Sequence, residues 1–389
     1  MGAGQPHRRE HFWDAARAFL MILGIPYHVA LAFRPVGQDW IIYSPDGAGL
    51  FTYLAEFIHL FRMPAFFVIA GYFAALLLAR RAPGPWLQGR LTRLGVPFIT
   101  AILILVPPLN MVTELSNFSL PEALRSWEYN STTSGGYWVR HLWFIIVLLY
   151  CCTAAAALVR FRPGLARAMV PERVDGWMAR NFPMALMGMA VLIGLWEGGV
   201  IELFYKAGLA TNVPQQILRI DDLISSAPYF ILGFLLMRSP ATLDRMRRFS
   251  PTILIVAIGA TAFSLATIDE FWPPVGRFIG TLSAVALTQV VIAGACRFLD
   301  RPIPLVQRFV SASFVVYLVH LPIILLLILL GRDIAMPAVP KALSIMLLSL
   351  MLSYAIWLVV ERSPILSFLF NGEPLSRKEP PRRYLPSNR

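Results

Sequence analysis

The sequence predicts an all-α, polytopic membrane protein of about ten transmembrane helices with both termini cytoplasmic. Three observations carry this. Of 389 residues, 57% are hydrophobic and 14% charged, with a mean hydropathy of +0.63, a composition far from that of a soluble domain. The apolar residues fall into runs of roughly 20, the length that crosses a bilayer as a helix. The basic residues cluster between alternate runs, as the positive-inside rule demands.

The spans are expected near 12–34, 51–79, 94–113, 141–159, 184–204, 222–238, 251–268, 278–297, 310–330 and 341–360. The second is long and the sixth short. The first keeps Arg17 and His28 and lacks a small-residue cleavage site, so it is expected to remain as a helix and not to be cleaved as a signal peptide. An even number of spans puts both termini on one side. The loops on that side hold Arg80, Arg81, Arg90 and Arg93, then clusters at 160–180, 238–248 and 297–308, and with the two tails they contain most of the 34 basic residues. That side is therefore the cytoplasm. Residues 1–370 form a single membrane-embedded domain, and the Pro-rich polar tail 371–389 is expected to be disordered.

The outer loops 114–139 and 205–221 are the longest on their side. The first mixes aromatic, carboxylate and amide groups, suited to a sugar and equally to a plain surface loop. Asn117 and Asn130 sit in glycosylation sequons that matter only in a host that uses them. The net charge of +12 forms no single basic face, which excludes nucleic acid as a partner. Cys151, Cys152 and Cys296 lie in apolar runs without Cys-x-x-Cys spacing and read as small core residues. No nucleophile elbow, Walker loop, dinucleotide fingerprint or paired-histidine metal motif occurs, and no metal site is expected.

Ionisable side chains inside spans are costly and mark pathways or reaction centres. Arg17 and His28 lie on the first span, roughly 16 Å apart in depth. The second span runs the other way and brings His59 and Arg62, one helical turn apart, to the level of His28. A lone intramembrane histidine is as often a plain helix contact. Two histidines and two arginines together point instead to chemistry, with imidazole as general base and guanidinium as anion clamp. Gly71 and Pro64 would let a backbone or ligand approach. Arg90 and Arg93, at the inner mouth of the third span, suit an anionic ligand such as the phosphates of coenzyme A, although positive-inside bias alone would also place them there. His320, in mid-span within YLVHLP, and Glu197, in the outer half of the fifth span, are the hardest of the remaining polar groups to dismiss. His141 and Trp143, opening the fourth span as HLWF, and Glu197 are candidate substrate contacts, while Asp14 reads as a local partner of Arg17.

Arg17 and His28 match the R/K-x10-H motif, and Arg90 and Arg93 the R-x-x-R motif, of the acyltransferase 3 family, which the chain resembles. The blocks DAARAFLMILGIPYH, FIHLFRMPAFFVIAGYF, RLTRLGVPF, HLWFIIVLL, YLVHLP and SFLFNGEP are similar to those of its glucans biosynthesis protein C branch, from residue 12 to about 374. The resemblance implies a ten-span bacterial inner-membrane enzyme. It would move succinyl groups from cytoplasmic succinyl-CoA to hydroxyls of osmoregulated periplasmic glucans. Acyl-CoA would be a co-substrate, with no tightly bound cofactor, and other glucan biosynthesis proteins would be possible partners in the lipid bilayer. On that reading Arg17, Arg90 and Arg93 contact the donor, and His28 acts as general base on the glucan hydroxyl or briefly carries the acyl group itself. Arg62 or His59 stabilises the oxyanion or holds the succinyl carboxylate, with His320 also at the reaction centre. Two alternatives remain: an O-acetyltransferase of another surface polysaccharide, and a proton-coupled transporter or glucan exporter, against which the lack of internal repeats counts.

Overall fold

The computed structural model describes residues 10–35, 40–209, 213–268 and 270–375, and every element among them is helical. The tail positions 376–389, expected to be disordered, lie outside the described residues.

The elements that matter here are α1 (His11–Ile22), α2 (Gly24–Phe33), α3 (Leu50–Leu78), α4 (Pro83–Arg90), α5 (Val96–Ile104), α6 (Val106–Leu115) and α7 (Leu120–Thr133). They continue with α8 (Trp143–Phe161), α9 (Phe182–Lys206), α10 (Ile220–Leu236), α11 (Pro251–Ala266), α12 (Pro273–Leu299), α13 (Pro304–Leu330), α14 (Ala338–Arg362) and α15 (Pro364–Asn371). Proline at the first turn opens many of them, where its missing N–H costs nothing.

Among the described residues, 8 helices are long and apolar enough to cross a membrane, or up to 9 if the stretch Val213–Leu236, bent by 113° into Pro240–Met246, counts as one. The polytopic architecture expected from composition is therefore present. The expected run 251–268 yields α11, which at 16 residues is about 24 Å long and falls below the bilayer's ~30 Å hydrocarbon core.

Three helical units form the middle of the bundle. In α1–α2, α3 and α13, 61–67% of the most apolar window is buried against other helices, compared with 28% in α14. The apolar side chains of α14 instead point outward, as a lipid-facing helix requires. The α1–α2 unit packs on α3, α12, α13 and α14, so the chain's first span becomes its central one.

The first span is not one continuous helix. It breaks at Leu23, between Ile22 and Gly24, although Tyr27 still donates its backbone N–H to the Leu23 carbonyl. Pro26 lies just beyond, and its missing N–H accounts for the interruption.

Gly71 serves helix packing, the backbone approach that the sequence allowed for. A Cβ there would run into the Phe230 carbonyl on α10, and a Cβ at Gly233 would run into the Val68 carbonyl on α3. The pair lets two backbones touch, the small-residue device of membrane helix pairs.

The segment 114–139 is more ordered than a loop. Its centre is the helix α7, at whose start the Ser119 backbone N–H and hydroxyl both donate to Glu122. These bonds hold the Glu122 carboxyl below its ordinary range. Asn130 of the second sequon donates to Glu114 at 3.1 Å and to Ser126.

Candidate active site

Three histidines from three helical segments meet in the bundle. The ring centroids of His28 and His320 are 5.2 Å apart, those of His141 and His320 5.4 Å, and those of His28 and His141 6.5 Å. All three are at least 93% buried, with exposures of 6%, 1% and 7%. His28 comes from α2, His320 from the middle of α13, and His141 from the short turn Arg140–Leu142 that precedes α8. Arg140 in that turn is left-handed, with φ of 46°. Its Nε donates to Asn110 at 2.7 Å, a bond that helps offset the strain of the left-handed position.

Hydrogen bonds fix two of the rings. His320 Nδ1 lies 2.7 Å from the Tyr317 carbonyl, and His141 Nε2 lies 3.2 Å from the Leu318 carbonyl. A carbonyl only accepts, so each of these nitrogens carries the proton. The neutral tautomer then leaves His320 Nε2 and His141 Nδ1 as lone-pair acceptors. Both are buried without a hydrogen-bond partner, as is His28 Nδ1. Buried nitrogens of this kind are costly unless something else meets them. Tyr317 also donates its hydroxyl to the His141 carbonyl at 2.7 Å, and Trp40 stacks on His28 at 5.4 Å.

Arg62 approaches this cluster from α3. Its guanidinium lies 4.6 Å from the centre of the Tyr27 ring, a cation–π contact. Gly24 makes room for the approach, since a Cβ there would lie 2.9 Å from both Arg62 Nη1 and His320 Nε2. His59 stands apart from the trio. It is exposed, and its Nδ1 is 3.3 Å from the Tyr27 hydroxyl. Expected on the same face as Arg62, it does share with Arg62, Tyr27, His28 and His141 the wall of one cavity of about 360 Å³.

A second cavity, of about 300 Å³, opens at the other end of the bundle and holds Arg17, Arg90 and Arg93. Arg17 pairs with Asp14 at 3.1 Å and lies over the Phe73 ring, while Arg90 lies over Trp86. The segment Leu91–Gly95, which contains Arg93, is a π-helical turn between α4 and α5. Such turns are often found at functional sites because they re-aim side chains that a regular helix would space evenly.

Phe144, on α8, lines both cavities. Its ring meets Phe66 edge-on at 4.6 Å and Tyr317 at 5.5 Å. An aromatic partition therefore stands between the arginines and the histidines.

Several of these positions escaped the sequence reading. Tyr317 lies one turn before His320, a spacing that could have been read from YLVHLP. Trp40, Gly24 and Phe144 carried no signal beyond their apolar surroundings. Asn371 and Glu373 also line the arginine cavity, because α15 packs back against α5. Gly372, at φ of 63°, turns the chain there, and Glu373 accepts hydrogen bonds from Ser367 and Asn371. The other expected substrate contacts fall near the histidine cavity. Trp143 lines it, whereas Glu197 lies in an adjoining space.

Comparison with known proteins shows the family. The acyltransferase domain of the acyltransferase 3 family matches residues 10–358. Proteins named glucans biosynthesis protein C from Salmonella gallinarum, Salmonella agona and Salmonella dublin are each 29% identical over 394 residues, which is 96% of this chain and 97% of theirs. No solved structure matches. With the family's domain spanning most of the sequence and a histidine–arginine centre inside its bundle, the chain belongs to the acyltransferase 3 family of membrane acyltransferases.

Proposed function

We propose that this acyltransferase moves a succinyl group from cytoplasmic succinyl-CoA to a hydroxyl of an osmoregulated periplasmic glucan, across the inner membrane of a bacterium. The observation that carries the reading is the pair of cavities that meet at Phe144, one lined by Arg17, Arg90 and Arg93 and the other by His28, His59 and His141 together with Arg62. The glucan acceptor is supported by the names of the relatives. The single domain is taken as 1–370, with the arginine cavity on the cytoplasmic side, where the sequence concentrates its basic loops.

In this reading Arg90 and Arg93 take the phosphates of the donor, with Arg17 deeper in the same cavity. Guanidinium is suited to the task because its planar donors match phosphate oxygens in pairs. The pantetheine arm passes the ring of Phe144 and brings the thioester carbonyl to the histidine cavity. There the acceptor hydroxyl adds to the carbonyl carbon while a lone-pair imidazole nitrogen takes its proton. His28 is the proposed base, and the fixed Nε2 of His320 and Nδ1 of His141 stand beside it to pass the proton on. Arg62 stabilises the oxyanion of the tetrahedral adduct or holds the free carboxylate of the succinyl group, with His59 at the cavity's edge. Collapse of the adduct breaks the C–S bond, the thiolate regains a proton, and CoA leaves as its thiol while the ester remains on the glucan.

The test is His28→Ala in a cell that lacks its own enzyme, read by mass spectrometry of periplasmic glucans. Succinylated glucan should disappear while the glucan itself persists. If succinylated glucan remains, the assignment of His28 fails. If the glucan itself is lost from the periplasm, the protein is an exporter.

A further inference from the structure

A third cavity, of about 450 Å³, adjoins the histidine chamber. The two share His59, Met63, Trp143 and Asp222 in their walls. We infer that this cavity is the acceptor subsite and that it takes a single neutral pyranose unit. The inference rests on the acyl-transfer reading above for which product forms, but not for what the cavity binds.

The lining is unusual for a chain of this composition. Carboxylates reach it from three helices: Glu56 on α3, Glu197 on α9 and Asp222 on α10. Glu197 is 93% buried, with 7% exposure, and Ser225 of α10 is within hydrogen-bonding reach of it. Carboxylates inside membrane helices are expensive, so they gather where something meets them. Carboxyl oxygens accept hydrogen bonds, and serine hydroxyls both donate and accept. The ligand that satisfies such a wall is rich in O–H donors. Trp143, on the side nearest the histidines, adds a flat apolar surface against which the C–H face of a sugar ring can lie.

Charge separates this cavity from the donor's. Arg17, Arg90 and Arg93 line the cavity at the far side of Phe144. The arginine in the third cavity, Arg277, is already bound to Glu202 at 2.6 Å, and Arg219, beside Asp222, is bound to it at the same distance. The phosphates and succinyl carboxylate of a donor would thus find both arginines already committed and would face the carboxyl groups of Glu56 and Glu197, while a neutral polyol would not be repelled. The volume lies within the range of small-molecule sites. A sugar placed here would present one hydroxyl across the shared wall at His59 and Trp143 to the histidine cluster.

The test uses the full chain in lipid nanodiscs without any donor, with saturation-transfer NMR as the readout. The probes are methyl β-D-glucopyranoside and its anionic counterpart, methyl β-D-glucuronide. The glucoside should bind, and the glucuronide at least tenfold more weakly. Glu197→Gln should weaken glucoside binding about tenfold. Ser225→Phe, which fills the cavity without removing a charge, should abolish it, and each variant's thermal unfolding should establish that it folds. Absence of glucoside binding in the parent chain overturns the inference. So does binding that both variants leave unchanged, or a glucuronide held as tightly as the glucoside. A different acyl group, or glucan succinylation that survives His28→Ala, overturns the function proposed above while leaving these binding results untouched.

Discussion

His28 and His320 stand ring to ring, 5.2 Å apart, although they lie near opposite ends of the chain. The Nδ1 of His320 is committed to the Tyr317 carbonyl at 2.7 Å, so its Nε2 is the nitrogen left with a lone pair. If the two rings act as one proton-handling unit, removing either should cost nearly as much as removing both. General-base catalysis contributes about 10²–10⁴-fold. Single replacements His28→Ala and His320→Ala are each expected to lower the rate of acyl transfer by about that factor. The double replacement should add less than tenfold more, measured as CoA thiol release in the presence of acceptor.

Gly24 provides a finer test of the same geometry. A methyl group there would sit 2.9 Å from Arg62 Nη1 and from His320 Nε2. Both are ends of side chains, which can retreat without unfolding the bundle. Gly24→Ala is therefore expected to leave thermal stability nearly unchanged and to reduce acyl transfer at least tenfold. A fully active Gly24→Ala enzyme would mean that Arg62 and His320 need not approach each other.

The arginine cavity predicts a selective effect on the donor. A charge-assisted hydrogen bond contributes about 1.5–3 kcal/mol. Arg90→Gln and Arg93→Gln should each raise the KM for acyl-CoA by about tenfold or more, and added salt should weaken the parent enzyme's binding in the same direction. Arg160→Gln, which lies outside this cavity, should leave the donor KM as it was.

Phe144 should control what reaches the histidines. Trimming it with Phe144→Ala joins the two cavities, admits water to the thioester, and is expected to raise acceptor-independent thiol release relative to transfer. Phe144→Trp narrows the same passage and should slow transfer. Comparing thiol release with and without acceptor checks both.

The packing of α3 on α10 should be intolerant of size. A side chain at Gly233 would meet the Val68 backbone, which cannot swing aside as a side-chain end can. Overpacking of this kind costs about 1–3 kcal/mol. Gly233→Val should lower the unfolding midpoint in a detergent titration, whereas Gly49→Val, where a Cβ meets nothing, should leave it unchanged.

The sequence by itself determined the solvent this protein lives in, because burial in lipid demands long apolar runs that can be read residue by residue. It also singled out Arg17, Arg90 and Arg93, which line one cavity, and His28, which lines the other, since local spacing on one helix translates into depth. The seventh expected span, 251–268, was less legible: a hydropathy run does not say where a helix stops, and α11 ends at Ala266, too short to count with the long apolar helices. Only the tertiary structure decided that His141 and His320 complete a trio with His28, that His59 stands outside it, and that Phe144 divides two cavities. The same holds for Asn371 and Glu373, drawn from the tail to the arginine cavity. The physical reason is common to all of them. Apolar runs specify that helices form and how deep each residue lies, but which faces meet depends on small-residue contacts such as Gly24, Gly71 and Gly233. In a single sequence Gly24 and Gly233 look like any other glycines, and Gly71 stands out without showing which helix it meets.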